Sequence, residues 1–304
     1  MSIVVQEVTK YYGQQKALDN VSFEVKTGEI VAFLGPNGAG KTTMMRIITG
    51  FIPASSGRVL VNGIESSGDN REIKNNIGYL PENNPLYPEM YVREYLGFVA
   101  SMYRTVSSIK RQVDSIIEVT GLAPEQTKKI GSLSKGYRQR VGLAQALIHN
   151  PGVLILDEAT SGLDPNQIIE IRNLIRDAGR EKTILLSTHI MQEVEAICDR
   201  ILIIDKGIIV VDEKKSDIYT MIRRQRQIVH VEFDSDPDEA ALVNIRGVSG
   251  VRHNRQGSWQ IESDGEEDIR PALFEFAVNS KLTVLSLKKE ENNLEEIFRQ
   301  LTGR

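Results

Sequence analysis

Four short stretches carry residues whose types and spacing can do chemistry. Gly35-Pro36-Asn37-Gly38-Ala39-Gly40-Lys41-Thr42-Thr43 sets glycines, a lysine and two hydroxyls in one run. Glycines here let the backbone turn tightly and approach a phosphate without a Cβ in the way. The N–H groups at the following helix start supply positive potential. Lys41 adds a cation for β- and γ-phosphates, and Thr42 offers a hydroxyl to Mg²⁺. The run follows the apolar IVAFL and precedes a helical pattern, as that mechanism requires, so nucleotide binding is expected. VLILDE, the second stretch, brings Asp157 to the carboxyl end of an apolar strand, where a carboxylate can join the Mg²⁺ shell. Glu158 beside it is placed to take a proton from an attacking water. Without the glycine loop upstream, the same pair would read as a solvated acidic turn.

The third stretch is TILLST followed by His189, which reads equally as a packed histidine or as one that orients a phosphate and water. The fourth is LSKGYRQR, residues 133–140. Ser134 is a natural N-cap, Gly136 permits close approach, and Val141, Ala144 and Ile148 give the next helix an apolar face. Alone this is a capped helix. Beside a complete phosphate loop it is a second helix start able to meet an anion.

These residues need elements to hold them. SIVVQEV, VSFEV and IVAFL read as strands, with a helix from residue 42 and another strand in GRVLVNG. From about 89 to 149 the apolar residues recur at helical spacing, marking a helical insertion. VLILDE, TILLST and RILIID then alternate with helices, one opened by Asp164 as N-cap and Pro165 at its first position. The expected fold class is therefore α/β, a mostly parallel covered sheet with antiparallel and helical additions. A polar, basic stretch over 215–227 marks a boundary, and its Arg223, Arg224 and Arg226 could attract acidic lipid or nucleic acid but read first as a solvated helix end. Beyond it, IVHVEF, PDEAALVNI, VRHN, SWQIES, IRPALFEFAV, LTVLSL and NLEEIFRQL predict a small α+β unit in split βαβ order. His230 and His253 are isolated there and suggest no metal or ligand role.

Composition excludes several classes. The 304 residues, 40% of them hydrophobic, can bury a sizeable core, and the net charge of −4 with a single Trp does not suggest a nucleic-acid binder. One cysteine, Cys198, cannot form an internal disulfide and reads as an inert helical residue. No apolar run approaches the roughly 18 residues of a membrane span, and the first residues lack a signal-peptide pattern. Any membrane role is expected to come through a partner chain.

Taken together, the glycine loop, LSKGYRQR, VLILDEATSGLD and STH occur in an order and spacing that resembles the ATP-binding cassette (ABC) transporter ATPases. The resemblance covers residues 1 to about 215. It implies a P-loop NTPase cassette with an antiparallel β-subdomain and a helical subdomain at about 83–150, then a linker at 216–227. The small α+β domain at 228–304 would be regulatory or dimer-stabilising. It implies ATP and Mg²⁺ as ligands, and two cassettes meeting head to tail, as a homodimer here, with the signature helix of one closing on nucleotide held by the other. By that resemblance Tyr12 stacks on adenine, while Gly35 to Thr43, Lys41 and Thr42 among them, cradle the phosphates. Asp157, Thr42 and Glu82 face Mg²⁺, Glu158 is the general base and His189 the switch histidine. Ser134 and Gly136 make the signature contacts, and Ser161 to Asp164 form the loop that communicates across the dimer. Glu82 stands where the family usually has Gln, Lys135 and Tyr137 replace signature Gly and Gln, and Ala159 replaces a usual proline.

Finer motifs narrow the resemblance. GYLPENNPLYPEMYVREYL, KKIGSLSKGYRQRVGLAQAL and STHIMQEVEAICDRILIIDKG are similar to the ATP-binding subunit associated with bacterial gliding motility. That implies a separate transmembrane permease, export, and a place on the cytoplasmic face of the bacterial inner membrane. Segment 82–104 would pass motion to the permease. A soluble cassette acting on ribosomes or DNA, and a nucleotide-sensing interaction protein, remain the alternatives. The missing second cassette, coiled coil or zinc module weighs against the first, and the complete Asp157, Glu158 and His189 set against the second.

Overall fold

The computed structural model describes residues 2–66, 70–103, 106–224, 227–255, 257–264 and 268–289, with residue 298. The chain forms two compact units, Met1–Lys215 and Ser216–Arg304. In the first, β1 (Ile3–Tyr12) and β2 (Gln15–Val25) pair antiparallel, and β3 (Ile30–Leu34) leads into α1 (Lys41–Ile48). β4 (Ser56–Val61) and β5 (Ile64–Glu65) complete an antiparallel sheet in the order β2-β1-β4-β5. A short helix that the sequence pattern did not suggest, α2 (Arg71–Asn76), is capped by Asn70 and precedes β6 (Ile77–Leu80). The helical insertion follows as α3 (Val92–Ser101), α4 (Ile109–Val119) and α5 (Lys135–Leu147). The β/α alternation then resumes with β7 (Val153–Asp157), α6 (Pro165–Gly179), β8 (Thr183–Thr188), α7 (Met191–Ile197), β9 (Arg200–Asp205) and β10 (Ile208–Lys214).

The second sheet has the order β10-β9-β3-β8-β7-β6, parallel except at the β9–β10 hairpin. β3, β7 and β8 are buried at every residue, which is why they read as continuous apolar runs rather than alternating ones. Parallel pairing aligns their carboxyl ends: Leu34 lies opposite Thr188, and Asp157 opposite Ser187. The loops carrying Gly35, Glu158 and His189 therefore leave the sheet side by side. One core joins the two sheets, with the Phe23 and Phe33 rings 5.5 Å apart. Met44, Met45, Ile47 and Ile48 of α1 are buried in it. Each such side chain contributes about 1.5–3 kcal/mol, so together they outweigh an N-cap worth about 0.5–2 kcal/mol. Helix α1 can thus leave its first N–H groups free of any side-chain cap, and does.

In the insertion, α3 buries Val92, Tyr95, Leu96, Val99 and Ala100, the i, i+3, i+4, i+7 and i+8 pattern of one helical face. The Tyr95 hydroxyl donates to Gln145 Oε1 of α5 at 2.6 Å, and Arg140 of α5 donates to the Thr120 carbonyl at 2.9 Å. Cys198 is buried, and burial pushes its thiol pKa up, which leaves it unreactive.

Most of the stretch expected as a linker is helical, α8 (Lys215–Arg224), with Ile218 buried. The second unit continues with β11 (Gln227–Phe233), α9 (Glu239–Val243), β12 (Gly250–Arg255), β13 (Ser258–Ser263), α10 (Arg270–Asn279) and β14 (Val284–Lys289). Its antiparallel sheet runs β12-β13-β11-β14, and its core holds Val229, Val231, Phe233, Trp259, Ile261 and Leu273. Arg226, the side chains of Arg223 and Arg224, and the helix expected over 293–301, Phe298 apart, lie outside what is described.

Candidate functional site

A cleft of about 630 Å³ opens at the carboxyl ends of β3, β7 and β8. Its size is that of a small-molecule site. Lining it are Tyr12, Pro36, Asn37, Gly38, Gly40, Lys41, Thr42, Thr43, Glu82, Glu158, Ser161 and His189. Gly40 takes a φ of 112°, and a Cβ there would lie 2.8 Å from the Ala17 carbonyl oxygen. A Cβ at Gly35 would overlap the Ile204 carbonyl oxygen. Only glycine allows the loop to close so tightly onto α1. Ala39 is buried behind it. The Lys41 ammonium curls back into this loop, donating to the Gly35 carbonyl at 2.7 Å and to that of Pro36 at 3.3 Å.

Glu158 is 8% exposed and engaged through both oxygens. Lys41 Nζ lies 3.4 Å from Oε1, and His189 Nδ1 donates to Oε2 at 2.7 Å. His189 is held by its neighbours. Thr188 Oγ1 accepts from the Ile190 N–H at 3.0 Å and donates to buried Glu193 at 2.6 Å, whose carboxyl burial pushes up in pKa. Glu158 itself has φ +53°, a left-handed value that costs a non-glycine residue about 1–3 kcal/mol and persists only where its surroundings enforce it.

Asp157 is fully buried, and neither carboxylate oxygen has a hydrogen-bond partner among the described residues. Burial raises its pKa; the nearby Ser187 and Thr42 hydroxyls oppose that without reaching hydrogen-bond geometry, Glu82 adds to it, and Lys41 opposes it. A buried carboxylate left without a partner is costly unless a cation completes it. Among the described residues no group of three His, Cys, Asp or Glu could hold a metal alone. Mg²⁺ usually needs only one or two carboxylates together with phosphates, and Asp157, Thr42 and Glu82 would fit as a donor set of that kind.

Ser134, Gly136 and Asp164 do not line this cleft. Ser134 is exposed at the start of α5, where its side chain accepts from the Tyr137 N–H at 3.4 Å. Gly136 lies against the Gln167 side-chain amide, and Asp164 caps α6 by accepting from the Gln167 N–H at 2.9 Å. Sequence reasoning missed Gln15, Lys16 and Lys206, which line the cleft. Lys206, with φ +47°, sits in the tight β9–β10 turn, whose Gly207 N–H donates to the Ala39 carbonyl at 3.0 Å. Asp-Lys-Gly after an apolar strand signals a hairpin and says nothing of a phosphate loop far away in sequence.

A family model described as "ABC transporter" matches residues 18–161, and one described as "ATP-binding protein DrrA1-3-like, C-terminal domain" matches 220–302. The chain is 34% identical over 307 residues to the linearmycin resistance ATP-binding protein LnrL of Bacillus subtilis (strain 168), covering 98% of this chain and 97% of that one. The chain belongs to the ABC transporter family. To the bacitracin transport ATP-binding protein BcrA of Bacillus licheniformis it is 33% identical over 313 residues, covering 100% and 98%. A solved ATP-binding cassette, MJ0796, described as a dimeric post-hydrolysis state bound to ADP and Pi, matches at TM-score 0.64 and 27% identity over 70% of this chain and 98% of its own. This ABC ATP-binding subunit binds and hydrolyses ATP with Mg²⁺ and works with a permease and a second cassette. The fold is the expected cassette, and the relatives support transport rather than action on ribosomes or DNA. Among the described residues no helix is long and apolar enough to cross a membrane.

Proposed function

We propose that the chain powers an exporter from the cytoplasmic face of the bacterial inner membrane, as one of two identical cassettes. The observation that carries the head-to-tail arrangement is the separation of two helix starts. The α1 start lies in the cleft with Lys41, Glu158 and His189, whereas the α5 start is exposed outside it. A second copy would complete the site by bringing its own Ser134 and Gly136 to the nucleotide. Residues 1–215 are the ATPase domain, 216–227 connect it, and 228–304 regulate it or stabilise the dimer. The names of LnrL and BcrA, resistance and transport, favour moving a small toxic compound outward. A gliding-motility role rests on the motif resemblance of segments such as GYLPENNPLYPEMYVREYL.

In this reading Tyr12 stacks on adenine and the N–H groups of the glycine loop hold the phosphates. Phosphates draw Lys41 away from Glu158 Oε1, freeing that oxygen to accept a proton from water. His189, already bonded to Oε2, keeps the carboxylate aimed. Mg²⁺, held by Thr42, Asp157 and Glu82, would supply charge neutralisation of the phosphates. Exposed Tyr87, Tyr91, Phe98 and Met102 in segment 82–104 offer apolar surface to the permease. Affinity isolation from detergent-solubilised native membranes tests the reading. A multi-spanning permease in fixed proportion is expected; recovery with ribosomes or DNA and no permease would overturn it.

A further inference from the structure

The signature helix does more in this fold than present Ser134. One face of α5 is fastened to the segment that follows Glu158. Lys135 lies against Gly162, Gly136 against the Gln167 amide, and Arg140 pairs with Glu170. Between them Gln139 Nε2 donates to the Ala159 carbonyl at 2.7 Å. Residues 135, 136, 139 and 140 share one helical face, so all four attachments lie along the same side of α5.

The Gln139 bond lands beside the strained point of the site. Glu158 holds its left-handed φ of +53° through three backbone contacts on either side. Its N–H donates to the Ser187 carbonyl at 3.0 Å, its carbonyl accepts from the Ser161 N–H at 3.1 Å, and the next carbonyl, that of buried Ala159, accepts from Gln139. The first contact comes from the central sheet and the second is local. Only the third comes from the helical insertion.

We infer that Gln139 is a positioning residue for hydrolysis: through the Ala159 carbonyl it sets the backbone angle of Glu158 according to where α5 sits. In the head-to-tail reading, on which this wider consequence rests, the α5 start meets the nucleotide of the opposite site. Seating there then aligns the Glu158 that serves the chain's own site, so closure at one site speeds hydrolysis at the other by about tenfold without being required for it. Ordinary helix packing would need only the apolar residues of α5. The donor at Gln139 reaching a backbone oxygen one residue from the catalytic carboxylate is what packing leaves unexplained.

The test compares Gln139→Glu, which keeps the shape and replaces the donor with an anion, with Gln139→Lys, which keeps a donor. Hydrogen exchange on the protein without nucleotide should rise over residues 158–163 in Gln139→Glu and stay unchanged over 35–45. With MgATP its kcat should fall about tenfold, the scale of one lost hydrogen bond, while KM and directly measured ATP affinity stay within twofold. Gln139→Lys should recover most of the kcat. Unchanged exchange over 158–163, or kcat within twofold of the parent, would overturn the role. A fall in kcat joined to weaker ATP binding and raised exchange throughout would mark general destabilisation and overturn it too. Failure of the head-to-tail reading shows differently, as normal turnover in Ser134→Arg.

Discussion

Two helices begin with glycine-bearing turns, and they are built in opposite ways. Helix α1 has no side-chain cap, is anchored by four buried apolar residues, and opens into a cleft beside Lys41, Glu158 and His189. Helix α5 is capped by its own Ser134, opens to solvent, and stands outside that cleft. The first start is committed to a ligand within its own chain. The second is a finished surface, stable without one, which is what a contact offered to another molecule requires.

The largest break of this contrast comes from the α1 side. In the proposed mechanism, replacing Glu158 by Gln removes the proton acceptor, and turnover should fall about 10²–10⁴-fold while ATP binding persists. Single-turnover hydrolysis beside equilibrium ATP binding checks this, and unchanged hydrolysis would move the base elsewhere. A smaller effect concerns the far end of α5. His149 there is stacked under Tyr103 at 3.9 Å, with Nε2 3.1 Å from the Ile77 carbonyl. Burial lowers its pKa to about 4, Lys182 adding to the shift and the Ile77 carbonyl opposing it. The folded chain therefore keeps His149 neutral between about pH 6.5 and 4, where the unfolded chain takes up the proton. Stability present above that window should be lost as pH falls through it, by up to about 3 kcal/mol. Urea unfolding at several pH values should show a shallower dependence in His149→Gln; parallel curves would show that this end of α5 does not sense protons.

What the sequence made legible follows the same division. The strands that carry the site could be read because burial on both faces writes an uninterrupted apolar run: IVAFL leads into Gly35, VLILD ends at Asp157 and TILLST leads into His189. Asp164 and Pro165 marked the start of α6 because capping is a local matter. Lys206 and the Gln139–Ala159 bond could not be read, since each joins segments brought together only by tertiary packing. Helix α2 has six residues and too short a period to stand out.

Assembly of one site from two chains is tested most directly by mixing two disabled variants. Lys41→Ala spoils the α1 start and leaves α5 intact; Ser134→Arg does the reverse. Each alone should be inactive, and the mixture should regain part of the ATP turnover, because one site of the mixed dimer joins a sound α1 start to a sound α5 start while the unseated α5 of the Ser134→Arg chain leaves its Glu158 less well aligned. A mixture as inactive as its components, with mixed dimers shown to form, would mean that both helix starts must come from the same chain.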